Sequence, residues 1–162
     1  MGARAINALR LEAGVPAWGA DLTRSFTPLE AGLGHLVDFD KDEFRGRGAL
    51  LRQRDAGVDQ RLVLLELSGN QAFDAMGQEP VRTAEGERVG RTTSGGFGHC
   101  VGKSLAMAYV GSAAVETSTE STLGDLQVKL MNHWFPARIL AEPAWKRPSP
   151  RSLHATGRTC QS

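Results

Sequence analysis

The run Arg61-Leu62-Val63-Leu64-Leu65-Glu66-Leu67 is where the chain changes character, and its reading decides the fold. Seven residues with two charges and a continuous apolar centre form a strand buried on both faces or nearly so. Beyond it the segments stay short and regularly punctuated. Arg88-Val89-Gly90-Arg91-Thr92-Thr93 and Ser104-Leu105-Ala106-Met107-Ala108-Tyr109-Val110 read as strands on either side of a glycine-rich turn, Ser94-Gly95-Gly96-Phe97-Gly98. Asp125-Leu126-Gln127-Val128-Lys129-Leu130-Met131 alternates polar and apolar residues. His133-Trp134-Phe135-Pro136-Ala137-Arg138-Ile139-Leu140 then returns through a tight connection at Asn132. Short strands at such intervals predict a small antiparallel barrel or sandwich over about residues 60 to 142.

The part before residue 58 is different. Ala5, Ile6, Leu9 and Ala13 recur at spacings of three and four, which predicts a helix over 3 to 12 that ends before Gly14 and Pro16. A second helix is expected from Arg47 to Ala56, burying Leu50 and Leu51 and closed by Gly57. Between them, His35-Leu36-Val37-Asp38-Phe39-Asp40 alternates as a half-buried strand does, and the turn Asp40-Lys41-Asp42-Glu43 follows. The fold class is therefore mainly β with minor α, a barrel preceded by a helix-containing segment. Residues 146 to 162 lack apolar periodicity and are expected to be disordered.

Composition excludes several classes. With 162 residues, 41% hydrophobic and 23% charged, the chain has the make-up of an ordinary soluble globular protein. A net charge of +1 provides no field to recruit nucleic acid or an anionic membrane. No run of about 18 apolar residues is present to span a bilayer. Cys100 and Cys160 have no metal-ligand spacing, and two such thiols point to a reducing compartment, cytoplasm or a mitochondrial matrix.

The polar motifs are weaker than they look. Gly102-Lys103-Ser104 spells the end of a P-loop, but Phe97 stands where its first glycine belongs, so nucleotide binding is rejected. His35, His99, His133 and His154 are scattered and seat no zinc. Ser94 and Ser104 lie near His99 without the elbow a nucleophilic serine needs, and their roles are read as structural. Trp134 and Trp145 read as core or interface aromatics. Glu12 ends the first helix, where a carboxylate can accept two parallel N–H donors from a ring-shaped ligand with an amide-like edge. Trp18 lies next to it in sequence and is a candidate to flank such a ring.

Six blocks of sequence carry a family resemblance. Gly2 to Glu12, reading Gly-Ala-Arg-Ala-Ile-Asn-Ala-Leu-Arg-Leu-Glu, is followed by Trp18-Gly19, by Thr27-Pro28-Leu29-Glu30-Ala31-Gly32-Leu33-Gly34 and by Phe44-Arg45-Gly46-Arg47-Gly48-Ala49-Leu50. Farther on come Gly90-Arg91-Thr92-Thr93-Ser94-Gly95-Gly96-Phe97-Gly98-His99 and Val101 to Val110. Together they resemble the aminomethyltransferase superfamily of the glycine-cleavage T-protein, and most closely the folate-binding and C-terminal barrel regions of dimethylglycine and sarcosine dehydrogenases. Asn7 carries the preference for the dehydrogenase branch, since T-proteins usually have Ala-Arg-Asp before Leu-Arg-Leu-Glu.

The resemblance implies a tetrahydrofolate-dependent one-carbon function, the oxidative demethylation of N-methylated glycines. Residues 1–57 would be the end of a folate-binding domain and 58–145 the C-terminal barrel. Glu12 and Trp18 are the implied folate contacts. The family's catalytic aspartate and its FAD-bearing domain have no counterpart in these residues, which implies no catalytic residue here, a flavin-containing domain or subunit as partner, and a chain inactive by itself. Two alternatives are an aminomethyltransferase of the glycine cleavage system and a stand-alone barrel with a structural or partner-binding role. Lys41 stands near where T-proteins carry a folate-holding arginine, and lysine is no equivalent at a bidentate site. Relatives acting in iron–sulfur cluster repair carry a cysteine in a loop matching Lys41 to Gly48, and this chain has none there.

Overall fold

The computed structural model describes residues 2–69, 73–117 and 123–146. Helix α1 spans Ala3–Glu12 and α2 spans Arg47–Ala56. Six strands follow: β1 Gln60–Leu67, β2 Pro80–Thr83, β3 Arg88–Gly98, β4 Lys103–Gly111, β5 Leu126–Leu130 and β6 His133–Leu140, with the short helix α3 Ser112–Thr117 after β4. The strands close into a barrel in the order β1-β4-β3-β2-β5-β6, every pair antiparallel. Closure leaves no sheet edge to template aggregation.

Side-chain alternation explains why β1 and β4 read as unbroken apolar runs. Val63, Leu65 and Leu67 point one way and join Val81, Ala106, Ala108, Val110, Leu126, Val128, Leu130 and Ala137 in one buried cluster. Small Ala and Val side chains suit the narrow interior of a six-stranded barrel. Leu64, Leu105 and Met107 point the other way and meet Leu11 of α1, which is fully buried. Both faces of β1 and β4 are thus covered, one by the barrel and one by the helix. Burying a leucine in such a place contributes about 1.5–3 kcal/mol.

The expected hairpin between β5 and β6 is present. Met131 and Asn132 have φ of 44° and 67°, the two positive values of a type I′ turn, and Leu130 pairs with His133. Gly57 closes α2 with φ 87°, as expected.

Three expectations are corrected. The stretch 35–40 is not a strand: Gly34–Leu36 is a 3-10 turn, and the following residues are irregular. Its alternation has no neighbouring strand to pair with. Phe39 instead lies under the Arg54 guanidinium, and its carbonyl accepts bonds from Arg47. The stretch Ser94 to Gly98 is not a turn but the second half of β3; the turn falls at 99–102. Its glycines answer to close approach, since Cβ atoms on Gly96 and Gly98 would meet α1 side chains at 2.9–3.2 Å. Leu50 and Leu51 are only half-buried, because α2 has no fully buried residue. Cys160, His154 and the tail from residue 147 lie outside the described residues.

Candidate functional site

Helix α1 is seated on the glycine face of β3, and this seat brings the polar residues of the N-terminal segment together. Asn7 Nδ2 donates to the Gly95 carbonyl at 2.8 Å. Arg10, one turn on, donates to Asn7 Oδ1 from Nε and Nη2 at 3.0 and 2.8 Å, and to Ser94 Oγ at 2.7 Å. Its remaining nitrogen is ion-paired with Asp21.

Asp21 is the hub of this network and is fully buried. Its Oδ2 accepts from the Ala17 N–H at 2.8 Å as well as from Arg10, while Oδ1 accepts from Ser94 Oγ at 2.7 Å and from Thr93 Oγ1. A carboxylate surrounded this way has its acceptor sites filled, which is the condition for burying a charge. The Tyr109 hydroxyl donates to the Asp21 carbonyl at 3.1 Å. Burial, then the charges of Glu30 and Asp21, push the Tyr109 pKa up to about 12, so the phenol keeps its proton and stays a donor.

Glu12 occupies a separate place at the end of α1. Only 3% of it is exposed, and its Oε1 accepts the main-chain N–H of Cys100 at 2.8 Å. The Glu12 carbonyl accepts from the Trp145 N–H at 2.9 Å, tying the helix end to the segment after β6. A Cβ on Gly98 would stand 2.9 Å from Glu12 Cγ and 3.0 Å from Oε1, so the carboxylate rests in a cradle that only glycine leaves open. One bond from Cys100 leaves a carboxylate with further lone pairs, enough for a ligand N–H.

Trp18 is not brought to Glu12. It is 79% exposed and lines an apolar cavity of about 110 Å³ with Leu22, Phe26, Pro28, Leu33 and Tyr109. Phe26 stacks on Tyr109 there, with ring centroids 3.5 Å apart. Glu12 is not among the residues that line this cavity. Thr27-Pro28-Leu29-Glu30 beside this cavity is a capping box: Glu30 N–H donates to Thr27 Oγ1 at 3.2 Å, and Thr27 N–H to Glu30 Oε2 at 2.8 Å. Burial alone would raise the Glu30 pKa, but hydrogen bonds from Thr27, Gln60 and Gln53 outweigh it and hold it below the ordinary value.

The remaining motif residues settle into structural places. Lys103 of the P-loop-like triplet donates to Glu66 Oε2 at 2.9 Å, where Arg138 also binds at 2.8 Å. His99 packs edge-on against Phe97 at 5.2 Å. Among the described residues no group of His, Cys, Asp or Glu is arranged to hold a metal ion. Arg82, stacked 3.7 Å over Trp134, accounts for one of the aromatics expected in packing. Sequence alone gives Asp21, Arg10 and the Cys100 main chain no role in a site. The Cys100 contribution is a backbone N–H, which carries no residue-type signal, and Asp21 lies in a loop without periodicity.

Comparison with known proteins matches the same two parts. Residues 60–146 fit the glycine cleavage T-protein C-terminal barrel domain, and residues 1–41 fit the GCVT N-terminal domain. The aminomethyltransferase of Thermosynechococcus vestitus is 38% identical over 148 residues, covering 91% of this chain and 38% of the relative. The mitochondrial dimethylglycine dehydrogenase of Rattus norvegicus is 36% identical over 159 residues, covering 97% of this chain and 18% of the relative. The chain thus spans well under half the length of these curated relatives. The crystal structure of the glycine cleavage system aminomethyltransferase T from Bartonella henselae superposes with a TM-score of 0.74 at 30% identity, over 87% of this chain and 38% of that one. With its closed barrel and seated helix matched in both sequence and structure, this chain belongs to the glycine cleavage T-protein family.

Proposed function

We propose that this chain is the folate-holding, C-terminal part of a one-carbon transfer protein, and that Glu12 is its contact to the pterin ring of tetrahydrofolate. The observation that carries this reading is the Glu12 cradle: a carboxylate 3% exposed, fixed by one backbone N–H, over a glycine whose Cβ would fill the space. In so little water a charge-assisted bond to a ring N–H meets weak competition. Tetrahydrofolate, when bound, accepts the one-carbon unit; the residues here bind and orient it. Trp18 offers an exposed ring at a separate apolar cavity, as a second contact for such a ligand.

In this reading residues 1–57 complete a folate-binding domain and 58–145 form the barrel. Ile6 and Leu9 on α1 and Val15 just after it are each about half exposed, an apolar face open to solvent. Such a face fits cover by a further domain or subunit. For the dehydrogenase reading, favoured by the Asn7-containing block, that partner carries the flavin that oxidises an N-methylated glycine. The aminomethyltransferase reading has relatives of like identity and shares the folate site.

Titration calorimetry of the 162-residue chain with tetrahydrofolate tests the proposal. Glu12→Gln is expected to weaken binding by about 10- to 100-fold, the equivalent of one charge-assisted hydrogen bond. Equal affinity in the variant overturns the assignment of Glu12.

A further inference from the structure

A buried carboxylate serves a ligand only if it is aimed before the ligand arrives. Three longer-range contacts converge on Glu12. The Trp145 N–H fixes its carbonyl. Gly98, buried in β3, lies directly against its Cγ. The Cys100 N–H, 88 residues away in sequence, takes its Oε1. The turn that presents that N–H is itself closed by Gly102 N–H donating to the Gly98 carbonyl at 2.8 Å, with Gly102 at φ 66°.

We infer that Gly98 and the main-chain N–H of Cys100 are the positioning elements of the folate site, holding the Glu12 carboxylate in the orientation that meets the pterin. The inference rests on the folate reading above. A methyl group on Gly98 would stand 2.9 Å from both Glu12 Cγ and Val101 Cγ2. Val101 packs with the cluster under α1 and has a single side-chain torsion, so Glu12, with its longer and more rotatable side chain, is what gives way. Once displaced, Oε1 leaves the Cys100 N–H, and the carboxylate regains rotamers that binding must then freeze out again. Neither Gly98 nor Cys100 has to touch the ligand for this to happen.

A double-mutant cycle with amide NMR tests it on the full chain. In the wild type the Cys100 amide resonance is expected to be displaced by its carboxylate acceptor, and both Glu12→Ala and Gly98→Ala are expected to abolish that displacement. Tetrahydrofolate affinity is expected to fall about tenfold in Gly98→Ala and no further when Gly98→Ala is added to Glu12→Ala. Circular dichroism melts report whether the barrel persists. Should it not, Gly98→Ala combined with Val101→Ala relieves the Val101 contact while keeping the one with Glu12. Wild-type affinity in the Gly98 variant, or an equal loss with and without Glu12, overturns the positioning role while leaving the folate reading standing. A wild type that binds no folate sinks the folate reading, and the positioning of Glu12 is then judged by the NMR arm alone. A Cys100 amide indifferent to Glu12→Ala overturns the inference in either case.

Discussion

Asp21→Ala is expected to destabilise the fold more than any other single truncation in the N-terminal segment. Asp21 is fully buried, and its carboxylate takes bonds from the Ala17 N–H, Arg10, Thr93 Oγ1 and Ser94 Oγ. Removing it leaves the Arg10 guanidinium, whose side chain is only 13% exposed, without its counter-charge, and leaves the Ala17 N–H and two hydroxyls to find new partners. Breaking a buried ion pair from one side costs about 3–5 kcal/mol. For a chain of this size that is a fall of roughly 10 °C in melting temperature. Asp21→Asn keeps the shape but places an amide donor against Arg10 or against the hydroxyls, so it recovers only part of the loss.

Urea unfolding followed by circular dichroism and tryptophan fluorescence measures the effect. The cycle with Arg10→Ala separates the pair from its surroundings, and a coupling of at least about 1 kcal/mol is expected for groups in direct contact. An Asp21→Ala variant within about 1 kcal/mol of wild type, or strict additivity with Arg10→Ala, refutes the network as the bond between the N-terminal segment and the barrel.

Other perturbations test other parts of the molecule. Gly90→Ala places a Cβ into the Tyr109 carbonyl oxygen across the β3–β4 ladder, so it should cost at least about 1–3 kcal/mol in a denaturation experiment; a neutral result contradicts the register. Glu66 is held below its ordinary value of 4.5: burial pushes it up, but hydrogen bonds and charge from Arg138 and Lys103 bring it down further. A depressed carboxyl stabilises above its unfolded value and loses that contribution as pH falls through the folded one. Glu66→Gln should therefore cost about 1 kcal/mol at pH 7, and the difference from wild type should shrink as the pH drops below 4.5, as read from melts across that range.

Much of the architecture is legible in local pattern because local pattern causes it. The recurrence of Ala5, Ile6 and Leu9 and the glycines after it bound α1 at Ala3–Glu12, although those three residues are exposed and Leu11 is the apolar one that α1 buries, and Arg47–Ala56 likewise has Gly57 to stop it. The β1 run could be read as buried on both faces from its apolar content alone. The errors come where a partner decides. Residues 35–40 alternate like a strand, yet a strand requires a neighbour's N–H and C=O groups, and none is alongside. The glycines from Gly95 to Gly98 suggest a turn, yet their lack of side chains serves the close seating of α1 on an extended strand.

For the site, sequence supplied the residues and their family likeness: Glu12 at a helix end, Trp18 after it, and the ordered blocks downstream. It also determined the alternation that makes a barrel, since that pattern is written in neighbouring residues. What the tertiary structure alone decided is which groups meet. Closure of β1 onto β6, the gathering of Thr93, Ser94 and Tyr109 around Asp21, and the Cys100 N–H on Glu12 all join residues far apart along the chain. Such contacts depend on backbone groups and on the exclusion of water, and neither is encoded in the identity of any one residue.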